Sequence, residues 1–249
     1  YVINMQNDVS TWENMSVLSG EIMNEDDYFD QAHEKKNAIF VLIGLVTKAH
    51  MAVSFNQFSV AASLYEKSTC YGVDTLRFTF GGPYYYTEVA RVHYGQFAHT
   101  GNRRHLRKGR KYKKLLQRIA STGCPEASLR LSFLVALEAT LKKRSLNDSE
   151  LRAVYASAIN CMEDNIACNL EGALNEKAGF DFAQRGLREE AKGYFDRALH
   201  IYQHKWGATA KYNQLQHQSE LVLSGLERGT NVDPLCGTCI VVTNDESTQ

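Results

Sequence analysis

Apolar residues recur at every third or fourth position along most of the chain, which is the spacing of one face of an α-helix. Residues 38–46, AIFVLIGLV, are apolar on nearly every side and predict a central, buried helix. That run is far shorter than the ~20 residues that cross a membrane. Helical spacing continues through residues 55–71, 84–99, 103–120, 125–144, 147–162, 170–184 and 187–205. The pattern therefore predicts an all-α protein.

Helix breakers are few, and they fall between the apolar stretches. The chain has only three prolines, and Pro83 and Pro125 stand where a helix is expected to begin. Small residues stand beside aromatic ones at matching places in successive helices, as Ala62 and Tyr65 do. Stacked helical hairpins interlock in this way, although no strict period of about 34 residues is present. The sequence predicts a tetratricopeptide-like α-solenoid of about eight or nine antiparallel helices with degenerate repeats.

Composition changes at both ends of this helical region. Residues 1–30 are polar and rich in acidic side chains, which predicts an acidic linker or a leading helix. Residues 31–225 are expected to form the helical-repeat domain. Residues 226–249 end in TNDESTQ and predict a disordered tail. The chain begins at Tyr1, which is consistent with a segment of a larger protein.

Overall composition narrows the class of protein without indicating an activity. Apolar residues make up 44% and charged residues 22% of the 249 positions, values typical of globular chains. The 28 basic residues balance the 28 acidic ones, so net charge predicts no general attraction to nucleic acid or membranes. The six cysteines are scattered, and no signal peptide precedes them. A cytoplasmic protein with reduced thiols is therefore expected.

Basic residues are concentrated in residues 103–118, RRHLRKGRKYKKLLQR, which hold nine of the 28 lysines and arginines. One interpretation is the solvated face of an amphipathic helix, whose neighbour is the acidic segment 21–30. The other is a patch that binds an anionic ligand, such as an acidic protein, a phosphate or a lipid surface. The candidate patch consists of Arg103, Arg104, Arg107, Lys108, Arg110, Lys111, Lys113 and Lys114.

Two pairs of residues provide weak signals for metal or redox chemistry. His200 and His204 lie four residues apart, and Cys236 and Cys239 form a C-x-x-C motif. A zinc site needs further ligands at suitable spacing, and none is evident. A redox pair is expected at a helix N-terminus after a strand, which the pattern here does not predict. An all-α metal- or redox-dependent protein remains the alternative, and we expect no cofactor.

The sequence HKWGATAK interrupts two helical stretches. Gly207 is predicted to end the first helix, because a residue without Cβ adopts a left-handed conformation easily. Trp206 is predicted to fill the joint, and the small Ala208 and Ala210 to let the next helix approach closely. Trp206, Gly207, Ala208 and Lys211 are therefore interpreted as a structural joint.

The second half of the chain resembles a known family. Asn175, Glu176 and Ala178 form an N-E-x-A motif, and Gly186 and Ala191 follow that Glu by ten and fifteen residues. With the W-G-A-T-A-K sequence, these residues resemble the tetratricopeptide-like helical region of very large signalling proteins. Those proteins combine a serine/threonine kinase-like domain, a STAND-type AAA ATPase and commonly GAF and histidine-kinase modules. The resemblance covers about residues 28–219.

One departure from that family lies near the joint. Eight positions separate Ala198 from Trp206, one more than in the family pattern. An extra residue rotates the following side chain by ~100° on a helix. The end of that helix is therefore expected to be distorted, or Trp206 to lie beyond it.

The resemblance implies a regulatory or interaction segment that catalyses no reaction by itself. The sequence contains neither a G-x-x-x-x-G-K-[ST] phosphate loop nor the H-R-D and D-F-G motifs of a kinase. The expected partner is another protein or an adjacent domain of the same chain. No small-molecule substrate is evident, nucleic acid is disfavoured, and no membrane span is expected.

Overall fold

The computed structural model describes residues 24–72, 81–141, 146–162 and 167–227. All regular secondary structure within these ranges is helical, which confirms the all-α prediction. The tail 226–249 lies outside the described residues except for its first two positions. The chain forms two compact units, Tyr1–Asn165 and Ile166–Gln249.

The first unit contains seven of the ten described α-helices. They are α1 (Glu25–Glu34), α2 (Ala38–Ser54), α3 (Phe58–Ser68), α4 (Gly81–Thr100), α5 (Arg103–Ala120), α6 (Pro125–Thr140) and α7 (Asp148–Asn160), and a short 3₁₀ turn, Thr69–Tyr71, follows α3. Helix α1 lies mostly within the acidic segment, so part of that segment is a leading helix. With this leading helix the described residues contain ten α-helices, compared with the eight or nine predicted.

Helix packing in the first unit follows chain order. Each helix from α1 to α7 contacts the next one, and α4 also contacts both α2 and α6. The links between α1, α2 and α3 are only three residues long, which makes these neighbours antiparallel. Helices α2, α4 and α6 therefore lie side by side, and α3 and α5 pack against them.

The second unit contains α8 (Cys168–Gln184), α9 (Arg188–His200) and α10 (Thr209–Glu227). A π-helical turn, Ile201–Lys205, extends α9 before α10 begins. Helix α8 contacts α9, the π turn and α10. Because α8 packs against all three, it is buried along most of its length, from Leu170 to Glu176 without interruption.

Several helix ends follow the signals in the sequence. Pro125 is the first residue of α6. Asn147 caps α7 by accepting from the Glu150 backbone N–H, and the Glu150 side chain accepts from the Asn147 N–H. This reciprocal arrangement is a capping box, which satisfies donors that a helix N-terminus leaves open.

Glycines inside the helices receive aromatic rings from neighbouring helices. At each of these positions a Cβ atom would lie 2.9 Å or less from a ring carbon. The pairs are Gly44 with Phe29, Gly95 with Phe58, Gly109 with Tyr94, Gly172 with Tyr202 and Gly179 with Phe195. These close contacts join each glycine to a ring on a neighbouring helix, and the sequence prediction, which was made on alanines such as Ala62, did not name them.

Candidate functional site

The joint between α9 and α10 begins with a change in helical pitch. In the π turn the Trp206 N–H donates to the Ile201 carbonyl at 2.9 Å, five residues back instead of four. The helix therefore departs from α-helical pitch over Ile201–Lys205, and Trp206 lies just beyond this turn. Gly207 follows with φ of 68°, the left-handed conformation predicted for it.

The side chain that fills this joint is Tyr202, not Trp206. Tyr202 is 1% exposed and packs against the helical backbone at Gly172, whereas Trp206 is half-buried. The two rings lie 5.7 Å apart between centroids. Ala208 and Ala210 are fully buried, as predicted for the close approach of α10.

A buried ion pair connects α8 to α10 at the same joint. Lys211 Nζ lies 2.8 Å from Glu176 Oε1, and the two side chains are 1% and 5% exposed. The Tyr202 hydroxyl donates to Glu176 Oε2 at 2.6 Å, and Lys211 Nζ also donates to Gln214 Oε1 at 2.9 Å. We call these four residues the polar joint. Each charge in it has a partner, as burial requires.

The charged groups of the polar joint are enclosed by the packing of the helices. The Lys211 ammonium also lies 5.8 Å from the centre of the Tyr202 ring, so an aromatic face covers it as well. A second ion pair, Glu171 with Lys205 at 3.1 Å, lies nearer the N-terminus of α8. Its lysine side chain is 45% exposed. The buried pair links helices, and the exposed one lies at the edge of the joint.

A second buried charged cluster lies in the first unit and was not predicted from the sequence. Glu88 of α4 is fully buried, 3.6 Å from His50 Nδ1 of α2 and 3.9 Å from Arg91 Nη1. Arg130 of α6 is 8% exposed and stacks over the Tyr84 ring at 5.1 Å. The sequence signal for this cluster is the pair of opposite charges, Glu88 and Arg91, among the apolar and aromatic residues of α4.

The charges around Glu88 keep its carboxylate ionised. Burial by itself raises the pKa of Glu88, but the neighbouring His50, Arg91 and Arg130 outweigh burial and lower it below the ordinary value. Because the groups come from α2, α4 and α6, the cluster connects the three helices that lie side by side.

The structure divides the predicted basic patch into two sets. Arg110 Nε lies 2.6 Å from Glu138 Oε1 of α6, and Lys113 binds the other oxygen of the same carboxylate. Among the described residues, Glu138 is therefore the carboxylate that pairs with α5, and residues 21–23 of the acidic segment lie outside the described ranges. The remaining six predicted residues and Arg118 are exposed, and none forms an ion pair with a described residue. We call these seven residues the basic face: Arg103, Arg104, Arg107, Lys108, Lys111, Lys114 and Arg118.

Two histidines at the edge of the basic face have lowered pKa values. His93 and His105 lie 5.8 Å apart between ring centres. Burial, followed by the charges of Lys108 and His105, lowers the pKa of His93 to about 4. Burial also lowers the pKa of His105, and Lys108 and Arg104 lower it further. The basic face is therefore a region of positive potential.

The structure does not assemble a metal site from the candidate histidines. His200 and His204 are both exposed, with ring centroids 4.9 Å apart. Within the described ranges, no group of three or more histidine, cysteine or acidic side chains is placed to hold a metal ion. Cys236 and Cys239 lie outside the described residues.

None of the helices in the described part of the chain has both the length and the apolar character needed to span a membrane.

Comparison with known proteins gives no further assignment. No protein-family model matches the chain, and neither a curated protein nor a solved structure matches it. The features of the described residues that bear on function are the polar joint, the charged cluster at Glu88 and the basic face.

Proposed function

We propose that this chain is a non-catalytic, tetratricopeptide-like helical-repeat segment that mediates protein–protein interaction and regulation within a larger cytoplasmic signalling ATPase or kinase. The helix contacts in chain order support the repeat arrangement, because repeat solenoids pack each helix against its neighbours one and two places away. The rings seated on helix glycines support it as well, since they interlock consecutive helices.

The main support for the proposal is that residues of the family-like motifs lie in the polar joint. Glu176 of the N-E-x-A motif and Lys211 of the W-G-A-T-A-K sequence pair with each other, and both are buried. Gly207 ends the first helix at that joint. Glu176, Gly207 and Lys211 belong to the motifs of the resemblance, and they lie where α8, α9 and α10 pack together. This is expected when a motif specifies a scaffold and not a reaction.

The test is the ATPase activity of the longer protein from which such a segment would come. We expect deletion of residues 167–227, or Lys211→Met, to change the rate of ATP hydrolysis several-fold, while the 249-residue chain alone hydrolyses no ATP. Lys205→Met is the matched control, because it removes a charge at the exposed edge of the same joint. An unchanged rate in both joint variants, or hydrolysis by the chain alone, would contradict the proposal.

Metal analysis tests the alternative of a metal-dependent protein. Stoichiometric zinc in the purified chain, lost in His200→Ala/His204→Ala or in Cys236→Ser/Cys239→Ser, would replace the scaffold proposal with a metal-dependent one. A metal-free, fully folded chain is the expected result.

A further inference from the structure

The basic face of α5 has a counterpart of opposite charge on the same unit. Four exposed carboxylates lie on one side of α1, and none forms an ion pair with a described residue. We call this set the acidic face: Asp26, Asp27, Asp30 and Glu34. Glu25, which lies outside this set, pairs with Lys48 of α2. The unit therefore presents two charged faces that do not neutralise each other.

The spacing of charges on the two helices matches. Asp26, Asp30 and Glu34 follow one another at intervals of four residues, which is about 6 Å along a helix axis. Arg103, Arg107 and Lys111 follow the same interval on α5. Two helices laid against each other with these rows in register would place three carboxylates opposite three cations.

We propose that the acidic face of one copy of this chain docks on the basic face of a second copy. Exposed ion pairs contribute little free energy individually, so we expect the contact to be weak and to form at high protein concentration. The matched rows of charge set its register and accelerate association. This inference is independent of the proposed scaffold function.

The chemistry of the basic face favours a protein partner over a lipid or nucleic acid. Every exposed position of α5 carries Arg, Lys or Gln, so no large apolar side chain is available to enter a membrane. No exposed aromatic ring on α5 is available for base stacking. Helices α4 and α6 flank α5, which limits its entry into a DNA groove.

The proposed contact joins two different surfaces, so it is heterologous. In a pair, one copy retains a free basic face and the other copy retains a free acidic face. Association is therefore expected to continue beyond a dimer as the protein concentration rises. Raising the salt from ~0.05 M to ~0.5 M shortens the screening length several-fold and should dissociate the assemblies.

Sedimentation velocity of the full chain and of two charge-neutralised variants tests the proposal. The basic-neutral variant is Arg103→Gln/Arg107→Gln/Lys111→Gln, and the acid-neutral variant is Asp26→Asn/Asp30→Asn/Glu34→Gln. We expect each variant alone to associate at least ~10-fold more weakly than the unaltered chain. An equimolar mixture should form a heterodimer that grows no further, because only one intact contact remains. Circular dichroism establishes that both variants keep their helix content.

The matched control removes three positive charges elsewhere on the surface. Lys67, Lys192 and Arg197 are exposed, and Lys67→Gln/Lys192→Gln/Arg197→Gln should associate as the unaltered chain does. Three results would overturn the proposal: a monomeric chain at low salt, a mixture that stays monomeric, or a basic-neutral variant that associates normally. A monomeric chain that binds phosphatidylserine vesicles or duplex DNA through the basic face would assign that face to lipid or nucleic acid instead.

Discussion

At the residue scale, Lys211 and Glu176 stabilise the second unit only while both charges are present. Lys211→Met leaves the Glu176 carboxylate buried without its cation, which costs about 3–5 kcal/mol of unfolding free energy. Urea unfolding measures this loss. In a Trp12→Phe background, fluorescence reports Trp206 alone, because the chain has two tryptophans.

Two further variants show whether the loss comes from the unpaired charge. The double variant Glu176→Gln/Lys211→Met should be more stable than Lys211→Met, because no buried charge is left unpaired. Lys205→Met should cost less than Lys211→Met, because the Lys205 side chain is 45% exposed and water reaches its end of the pair. Equal losses in Lys211→Met and Lys205→Met would show that the Glu176 pair has no special role.

Gly172 provides a second test at the residue scale. A Cβ atom at Gly172 would lie 2.4 Å from Cε1 of the buried Tyr202 ring, so Gly172→Ala forces the ring or the helix to move. Such overpacking costs about 1–3 kcal/mol. Gly193→Ala is the control, because no atom lies within 4 Å of its Cβ position. It should stabilise α9 by up to ~1 kcal/mol through helix propensity. Thermal unfolding compares the two variants, and a stabilising Gly172→Ala would contradict the packing argument.

At the element scale, the π turn sets the rotational position of α10 relative to α8. Trp206, Gly207 and Lys211 all depend on it for their position relative to α8. Deleting Gln203 would restore an α-helical pitch and rotate these residues by about 100°, which separates Lys211 from Glu176. The deletion is therefore expected to cost at least as much as Lys211→Met in urea unfolding.

Gln203→Ala is the control for that deletion, because Gln203 is exposed and lies in the same turn. It should change the free energy of unfolding by no more than ~0.5 kcal/mol. A deletion variant as stable as this substitution would mean that the π turn does not set the register of α10.

Helix boundaries were largely predictable from local sequence, because their causes are local. Pro125 begins α6, Asn147 and Glu150 cap α7, and Gly207 adopts a left-handed conformation. The π turn over Ile201–Lys205 was not predictable from local sequence, which contains no residue type that requires it. Within this turn Tyr202 packs against Gly172 of α8, a contact between residues 30 positions apart that the sequence does not reveal.

At the scale of the whole molecule, the pH dependence of stability follows from groups whose pKa is lowered in the folded state. His93 has a folded pKa of about 4 against 6.5 when unperturbed. As pH falls from 6.5 to 4, the unfolded chain binds a proton that the folded chain does not, so stability falls. Because His93 is partly exposed, its contribution is on the order of 1 kcal/mol. The lowered pKa of Glu88 extends the loss below pH 4.5.

Urea unfolding between pH 7 and pH 4 measures this dependence. His93→Gln removes a titrating group and should flatten the slope between pH 6.5 and pH 4. His33→Gln is the matched control, since His33 is exposed. A slope that is the same in His93→Gln and in the unaltered chain would show that His93 does not limit stability in acid.

The amino-acid sequence by itself determined the all-α class, most helix ends, the left-handed Gly207 and the concentration of cations on α5. These features arise from backbone preferences and from periodicity, which act over a few residues. Only the tertiary structure decided which charges are paired. Lys211 meets Glu176 and Glu138 meets Arg110 across 35 and 28 residues of chain. Such pairs depend on how helices pack, and the same packing leaves the acidic and basic faces unpaired and buries Tyr202 more deeply than Trp206.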